Sequence, residues 1–374
     1  MIVATVKEKN EDENRVSITP DTCKSFIKAG LNVIIEKNAG YNASFLDKVY
    51  RDSGAEVLER AEVLKKADIL LSVSTIFENS DLEVLKNKSI IIGGFNPYEN
   101  SNKIKKIIGK DLSLVSLDFL PRISRAQSMD ILSSQANLAG YKAVIEASSI
   151  FKKALPMMMT AAGTIIPAKC LILGAGVAGL QAIATAKRLG CVVSAFDVRP
   201  EVEEQVNSLG AKFVKVEDKV NTKETETVYA KEMSDDYKKK QLKAIHDVAV
   251  NMDIIISTAL IPGKKAPLLI KSNTITQMKS GSVLIDLASS SGGNIEGSKI
   301  GEKVNINDSI IYAPKNLPSL IAYDASLLFS KNVFNFISNF ITENKTFDIE
   351  AKDELLLKTI LIKNGKKTEN FYDG

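Results

Sequence analysis

The chain has 374 residues, 45% of them hydrophobic and 25% charged, which is ordinary globular composition with room for two domains. A formal net charge of +4 over this length gives no basis for a nucleic-acid partner, and the lysine clusters read as solvated surface. The start, MIVATVKEKNEDENR, is too acidic for a signal peptide, no apolar run approaches the ~18 residues that span a bilayer, and Cys23, Cys170 and Cys191 lack metal-ligand spacing, so a soluble cytosolic chain without a metal is expected.

Residues 1 to about 130 alternate strands and helices. Ile2 to Val6 reads as a strand. Thr19-Pro20-Asp21 opens a helix that runs to Ala29 and stops at Gly30, and Leu31 to Ile35 is the next strand. Further strands are expected at Ile69 to Val73, Ile90 to Ile92 and Leu112 to Leu117, with helices at Ala61 to Lys66 and Asp81 to Leu85. This is the pattern of a doubly wound α/β domain. It has no phosphate-binding glycines. Arg15, in a polar loop before Thr19, is read as a surface residue in a turn or as an anion holder.

Leu120 to Tyr141, LPRISRAQSMDILSSQANLAGY, is polar although it lies between two apolar domains. Read as a helix, it puts Gln127, Asp130 and, one turn on, Ser133 and Ser134 on one face. Arg122 reaches the same space from the preceding loop. Such a polar segment at a domain junction suits a nicotinamide carboxamide.

Lys169 to Arg199 carries the sharpest signal. Cys170 to Leu173 is a short apolar run suited to a buried parallel strand. Gly174, Gly176 and Gly179 follow in the spacing G-x-G-x-x-G, with Ala175, Val177 and Ala178 between them. Leu180 to Leu189 reads as a helix ended by Gly190, and Val192 to Phe196 as a second strand ending at Asp197. In a dinucleotide site the first glycine makes the tight turn, the second lets the pyrophosphate reach the backbone, and the third lets the helix pack on the strand. The helix N-terminus offers N–H groups to the phosphates. Asp197 stands 18 residues beyond Gly179, near the expected offset of about 20. There it accepts from the ribose hydroxyls and repels a 2′-phosphate, which favours NAD(H). Val198 and Arg199 flank it; an Arg near this point can accommodate NADP, but with Asp197 at the ribose position Arg199 is read as solvated or beside the adenine.

Beyond this, a Thr/Glu/Lys-rich stretch from Lys215 reads as a long exposed loop containing Tyr229 and Met233. His246, the single histidine, lies on a lysine-rich amphipathic helix and reads as a surface residue. Asp253 to Ser257 and Val283 to Leu287 are buried strands. Thr258, Ala259 and Leu260, at the end of the first of these, are expected to line the nucleotide. Gly263, Gly292 and Gly293 serve either turns or the approach of a nucleotide. Leu327 to Phe340 is a helix expected to return to the first domain, and Leu355 to Ile362 a strand followed by a turn at Asn364-Gly365.

The segments RISRAQSMDILSSQANLAGY and GAGVAGLQAIATAKRLG together resemble the soluble NAD(H)-binding part of proton-translocating nicotinamide nucleotide transhydrogenase. The resemblance runs from ENRVSITP to NLPS and on through Ala325 to Phe336. It implies an α/β fold of two doubly wound Rossmann-like domains with parallel sheets and a cleft between them. The first is expected at 1–131 plus 322–374, the NAD(H)-binding one at 132–321. Arg122, Gln127, Asp130 and Ser133 then lie beside the nicotinamide ring, and Tyr229 and Met233 on a loop that closes over the nucleotide. NADP(H) is held by a partner subunit. A homodimer is implied, peripheral to the inner membrane on its cytoplasmic side through membrane-embedded proton-channel subunits. Two positions depart from the family pattern: Ser289 to Ser291 stands where an acidic residue is frequent, and Pro314-Lys315 where a histidine is.

Alanine dehydrogenase shares the two-domain plan and is the competing reading, with Arg15 on a substrate carboxylate. Its catalytic lysine and histidine are missing, however. Ser72 or Ser74 takes the lysine position, and IIGGFNPYEN has no histidine. Acid–base groups contribute roughly 10²–10⁴-fold to such a reaction. Transhydrogenation, a direct hydride transfer, requires neither. A non-catalytic NAD-binding module is the third reading, and it has no use for Arg122, Gln127 and Asp130 together.

Overall fold

The computed structural model describes residues 1–74, 77–216, 235–261 and 263–373. In chain order the strands are β1 (Ile2–Thr5), β2 (Asn32–Glu36), β3 (Glu56–Leu58), β4 (Ile69–Ser72), β5 (Ile90–Gly93) and β6 (Ser113–Ser116). A short hairpin follows, β7 (Met158–Thr160) with β8 (Gly163–Ile165). Then come β9 (Lys169–Leu173), β10 (Val192–Phe196), β11 (Lys212–Phe213), β12 (Ile254–Ser257), β13 (Val283–Asp286), β14 (Lys303–Ile306), β15 (Ser309–Tyr312), β16 (Ile360–Lys363) and β17 (Lys366–Lys367). Two compact units result, residues 1–135 with 318–374, and residues 136–317.

The first unit holds a sheet in the order β17-β16-β6-β5-β4-β1-β2-β3. From β6 to β3 every pairing is parallel, and the order reverses between β1 and β4. β4 shows why the sheet is wound on both faces. Its Ile69 and Leu71 join a core with Phe26, Phe329 and Phe336, while Leu70 joins Phe95, Leu114 and Ile91 on the other side. A strand apolar at every position has no solvent face, so helices must cover both.

The second unit repeats the plan with β11-β10-β9-β12-β13-β15-β14 and its reversal between β9 and β12. Cys170 and Ile172 of β9 enter one core, Leu171 and Leu173 the other.

Neither sheet is wholly parallel. β14 runs antiparallel to β15, as β16 does to β6 and to β17. Tight turns cause this at two of the three pairings. Asn307 and Asp308 both take positive φ, 46° and 62°, as do Asn364 and Gly365, 47° and 75°. Two consecutive left-handed residues make the two-residue hairpin turn that suits twisted strands.

The segment expected as one strand, Leu355 to Ile362, is instead a helix, Glu354–Thr359, running into β16. Asp353 caps that helix by accepting from the Leu355 N–H at 2.8 Å, and Leu355 and Leu356 are buried. The helix Ala322–Ser338 begins before the expected Leu327 and packs within the first unit, its Phe334 edge-on to Phe26 at 5.0 Å between centroids.

Candidate functional site

In a doubly wound sheet the ligand position is set by topology, at the carboxyl ends of the two strands flanking the reversal. In the second unit these are β9 and β12, ending at Leu173 and Ser257. Gly174 leaves β9 with φ +93°, a conformation L side chains avoid. Thr258 leaves β12, its N–H donating to the Leu173 carbonyl at 2.7 Å and its hydroxyl to the Gly174 carbonyl at 3.1 Å.

The other two glycines serve different contacts. A Cβ on Gly179 would lie 1.9 Å from the Gly174 carbonyl oxygen, so the helix Val177–Arg188 can sit on the turn only with glycine there. Among the described residues, a Cβ on Gly176 would meet nothing within 4 Å. Gly176 caps the helix at φ −76°, which any residue tolerates. Neither strain nor packing against the described residues requires its bareness. The first N–H groups of the helix, at Val177, Ala178 and Gly179, have no intrahelical acceptor and give the turn a positive end.

Asp197 ends β10 beside this turn. Its Oδ2 accepts from the Ala175 N–H at 2.6 Å, its Oδ1 from the Arg199 N–H at 2.9 Å, and the Arg199 guanidinium adds bonds of 3.0 Å from Nε and 3.1 Å from Nη2. Burial pushes the carboxyl up. The guanidinium and the two backbone N–H groups outweigh it and hold Asp197 below the ordinary carboxylate range. Arg199, read from sequence as solvated or adenine-flanking, has a side chain 41% exposed and pairs with Asp197. Val198 and Leu260 are exposed, Ala175 is buried, and Ala178, Thr258 and Ala259 are half-buried. Tyr229 and Met233 lie outside the described residues.

Two supports of this turn escaped the sequence reading. Gly140 lies in the middle of the helix Ile131–Ile150, and a Cβ there would come within 2.0 Å of the Ala178 carbonyl, so this helix too abuts the turn. Asn294 is fully buried. Its side chain accepts from Ser257 Oγ at 2.7 Å and donates to the carbonyls of Ala259 at 3.0 Å and Pro267 at 2.8 Å, which fixes the path of the chain after β12. The clue was Asn directly after Gly292-Gly293. Gly293, with φ +77° beside Asp286, serves that turn. His246 is half-buried, its Nδ1 2.9 Å from Thr274 Oγ1, and is not the surface residue expected.

In the first unit, the segment from Arg122 to Ser134 is not one helix. Residues Ser124–Met129 form a 3-10 turn, and the helix starts afresh at Ile131. Asp130 stands at the junction, accepting the Ser133 N–H at 2.9 Å and the Ser133 hydroxyl at 2.5 Å. Asp130 and Ser133 are thus joined as a helix cap. Gln127 is exposed on the preceding turn, and Arg122 is exposed in the loop before it. Ser134 turns away to Asn332 at 2.7 Å, so the single polar face expected of these residues does not form.

The sheet reversal of the first unit, between β1 and β4, is filled from within. Glu8 is buried and accepts from Ser72 Oγ at 3.0 Å, the Val73 N–H at 2.6 Å and the Ser74 N–H at 3.3 Å. Arg15 is not a solvated turn residue. It grips Glu13 through Nε at 2.7 Å and Nη2 at 2.6 Å and donates to Gln135 Oε1 at 2.7 Å.

Two family models together match most of the chain. The family model "Alanine dehydrogenase/PNT, N-terminal domain" matches residues 4–139, and "Alanine dehydrogenase/PNT, C-terminal domain" residues 143–370. The chain is 45% identical over 370 residues to the first part of the NAD(P) transhydrogenase alpha subunit of Rickettsia prowazekii, covering 98% of this chain and 96% of that one. The crystal structure of transhydrogenase from Sinorhizobium meliloti superposes with a TM-score of 0.90 at 41% identity, over 98% of this chain and 100% of that one. Alanine dehydrogenase of Methanococcus maripaludis is more distant, 25% identical over 380 residues, with 98% and 94% covered. The chain therefore belongs to the alanine dehydrogenase/PNT family and, within it, to the NAD(P) transhydrogenase alpha subunits.

Proposed function

We propose that this chain holds NAD(H) for direct hydride exchange with NADP(H) on a partner subunit, coupled to proton translocation by a membrane-embedded partner. The observation that carries the nucleotide half is Gly176. It is bare of side chain at a sheet reversal where no contact with the described residues demands it, with a helix N-terminus behind it and Asp197 at the next strand end. The chain is similar throughout its length to proteins named as a piece of a transhydrogenase alpha subunit.

In this reading the turn Gly174 to Gly179 takes the pyrophosphate on backbone N–H groups. Asp197, with Val198 and Arg199, holds the adenosine ribose, and Thr258, Ala259 and Leu260 line the nucleotide. Tyr229 and Met233 belong to the closing loop that the family resemblance implies. NADH supplies the hydride when bound. The chain orients the ring through Arg122, Gln127, Asp130 and Ser133, and no side chain takes up a proton. Such positioning matters because reacting atoms must be held at about 3–3.5 Å.

The alanine dehydrogenase reading lacks its chemistry. Ser72 and Ser74, at the expected lysine position, give their hydroxyls to Glu8 and Glu13 at 3.0 and 3.3 Å. A homodimer is part of the proposal, and the hairpin β7–β8 supports it. Met159 is 79% and Ile166 78% exposed, with Met157, Met158 and Ile165 beside them. Exposed apolar side chains gathered on one hairpin in this way suit an interaction surface. Among the described residues no helix is long and apolar enough to cross a membrane, and attachment at the cytoplasmic face of the inner membrane is assigned to the partner subunits.

Gln127→Asn tests the positioning role. Its rate of hydride transfer to partner-bound NADP⁺ is expected to fall tenfold or more, with NADH affinity within threefold of wild type. Equal loss of both contradicts it.

A further inference from the structure

Asn332 lies on the helix Ala322–Ser338, on the same side as the buried Phe329, Val333 and Phe336, and is itself 9% exposed. An amide in such surroundings is costly unless each end finds a partner. Its Nδ2 donates to the Ser128 carbonyl at 2.8 Å, and its Oδ1 accepts from the Ser134 hydroxyl at 2.7 Å. These partners stand on opposite sides of the junction at Asp130. Ser128 belongs to the 3-10 turn Ser124–Met129, and Ser134 to the first turn of the helix that starts at Ile131. A carbonyl at the end of a helical turn lacks a donor from the turn itself, and Asn335 adds a second bond to that of Ser128 at 2.9 Å.

Each anchored residue is the chain neighbour of one assigned to the nicotinamide ring: Ser128 follows Gln127, and Ser134 follows Ser133. The Asp130 carboxylate is spent on Ser133, and the Asp130 N–H reaches the Gln127 carbonyl only at 3.5 Å. Ala126 and Met129 seat the turn on the core, yet apolar contact is non-directional. The two bonds of the Asn332 amide are directional and set the turn against the helix. We propose that Asn332 is a positioning residue for hydride transfer: by bridging the Ser128 carbonyl and the Ser134 hydroxyl, it fixes Gln127 relative to Ser133. The inference rests on the reading that these residues orient the ring. A fully satisfied buried polar group rigidifies the elements that it joins, and a misplacement of about 1 Å can slow such a reaction on the order of a hundredfold. In the same reading the glycine turn and Asp197 carry most of the affinity for NADH. Loss of the bridge then slows transfer and leaves binding nearly intact.

The test uses the full chain with its NADP(H)-binding partner subunit, for wild type, Asn332→Ala, Ser134→Ala and the double variant. Single-turnover hydride transfer, the dissociation constant of NADH and the melting temperature are measured for each. Asn332→Ala is expected to slow transfer tenfold or more and Ser134→Ala at least threefold, both with NADH affinity within threefold of wild type. The double variant is expected to be no slower than Asn332→Ala, because both changes break one bridge. A folded Asn332→Ala that transfers at the wild-type rate overturns the inference. So does equal loss of rate and affinity, or effects of the two changes that multiply. If Asn332→Ala does not fold, Ser134→Ala decides, and a rate within twofold of wild type overturns the inference. A wild type that binds NADH but passes no hydride to the partner overturns the proposed function itself; with an active wild type, each failure above falls on Asn332 alone.

Discussion

Among single residues, Asp197 carries the heaviest assignment. Hydrogen bonds to a charged group contribute about 1.5–3 kcal/mol, so Asp197→Ala is expected to weaken NADH binding by roughly ten- to a hundredfold, measured by fluorescence titration. An unchanged affinity removes Asp197 from the site. The residue also carries a stability signature. Its folded carboxyl titrates below the ordinary value because of Arg199 and the two N–H groups. Its stabilising contribution is therefore complete above the unfolded value of about 3.9 and is lost as pH falls through the lower folded value. The gap in melting temperature between wild type and Asp197→Asn should narrow as pH drops below the usual carboxylate range. A gap independent of pH would contradict the pairing.

Among the elements, the glycine turn separates binding from folding. Gly179→Ala drives a Cβ against the Gly174 carbonyl and is expected to destabilise the chain by about 1–3 kcal/mol, as overpacking does. Among the described residues, the methyl of Gly176→Ala meets nothing within 4 Å. Its melting temperature should match wild type while its NADH affinity falls tenfold or more. Thermal melts and titrations on both variants check this; a Gly176→Ala protein that binds normally would show that no ligand approaches there. This turn was legible in the sequence because Gly174 and Gly179 answer to local demands of turn and helix packing, with Gly176 at the spacing that a phosphate approach needs. The stretch around Gln127 was not. Its polar spacing suited a helix face, yet Asp130 spends its carboxylate on Ser133 and starts a new helix instead. Glu354–Thr359 misled in the same way: three leucines look like a strand until the cap at Asp353 is counted. Caps decide such short segments, and apolar pattern alone does not reveal them. The bond from Arg15 to Gln135 and the burial of Asn294 depend on the tertiary fold, and the one local clue to the second is its place after Gly292-Gly293.

In the molecule as a whole, two sheets of like topology have been put to different use. The reversal in the residue 136–317 unit is bordered by bare backbone at Gly176, and that in the other unit is filled by the chain's own Glu8. Sequence pattern located both sheets, but only the fold shows the second reversal filled. The exposed apolar hairpin also bears on the assembled molecule. Replacing Met159 or Ile166 by Asp should shift the chain from dimer to monomer in sedimentation velocity without lowering its melting temperature. A wild type that sediments as a monomer at micromolar concentration would contradict the homodimer. Above all, the proposed function requires that hydride pass directly from a nucleotide on this chain to one on its partner, without an acid or base. The decisive experiment follows transfer from NADH deuterated at the transferred position of nicotinamide C4, mixed on this chain with partner-bound NADP⁺ in ordinary water. The expected result is complete recovery of the label in NADPH, at a rate unchanged by adding pyruvate and ammonia. Loss of the label to solvent, or alanine formation by the isolated chain, would contradict it.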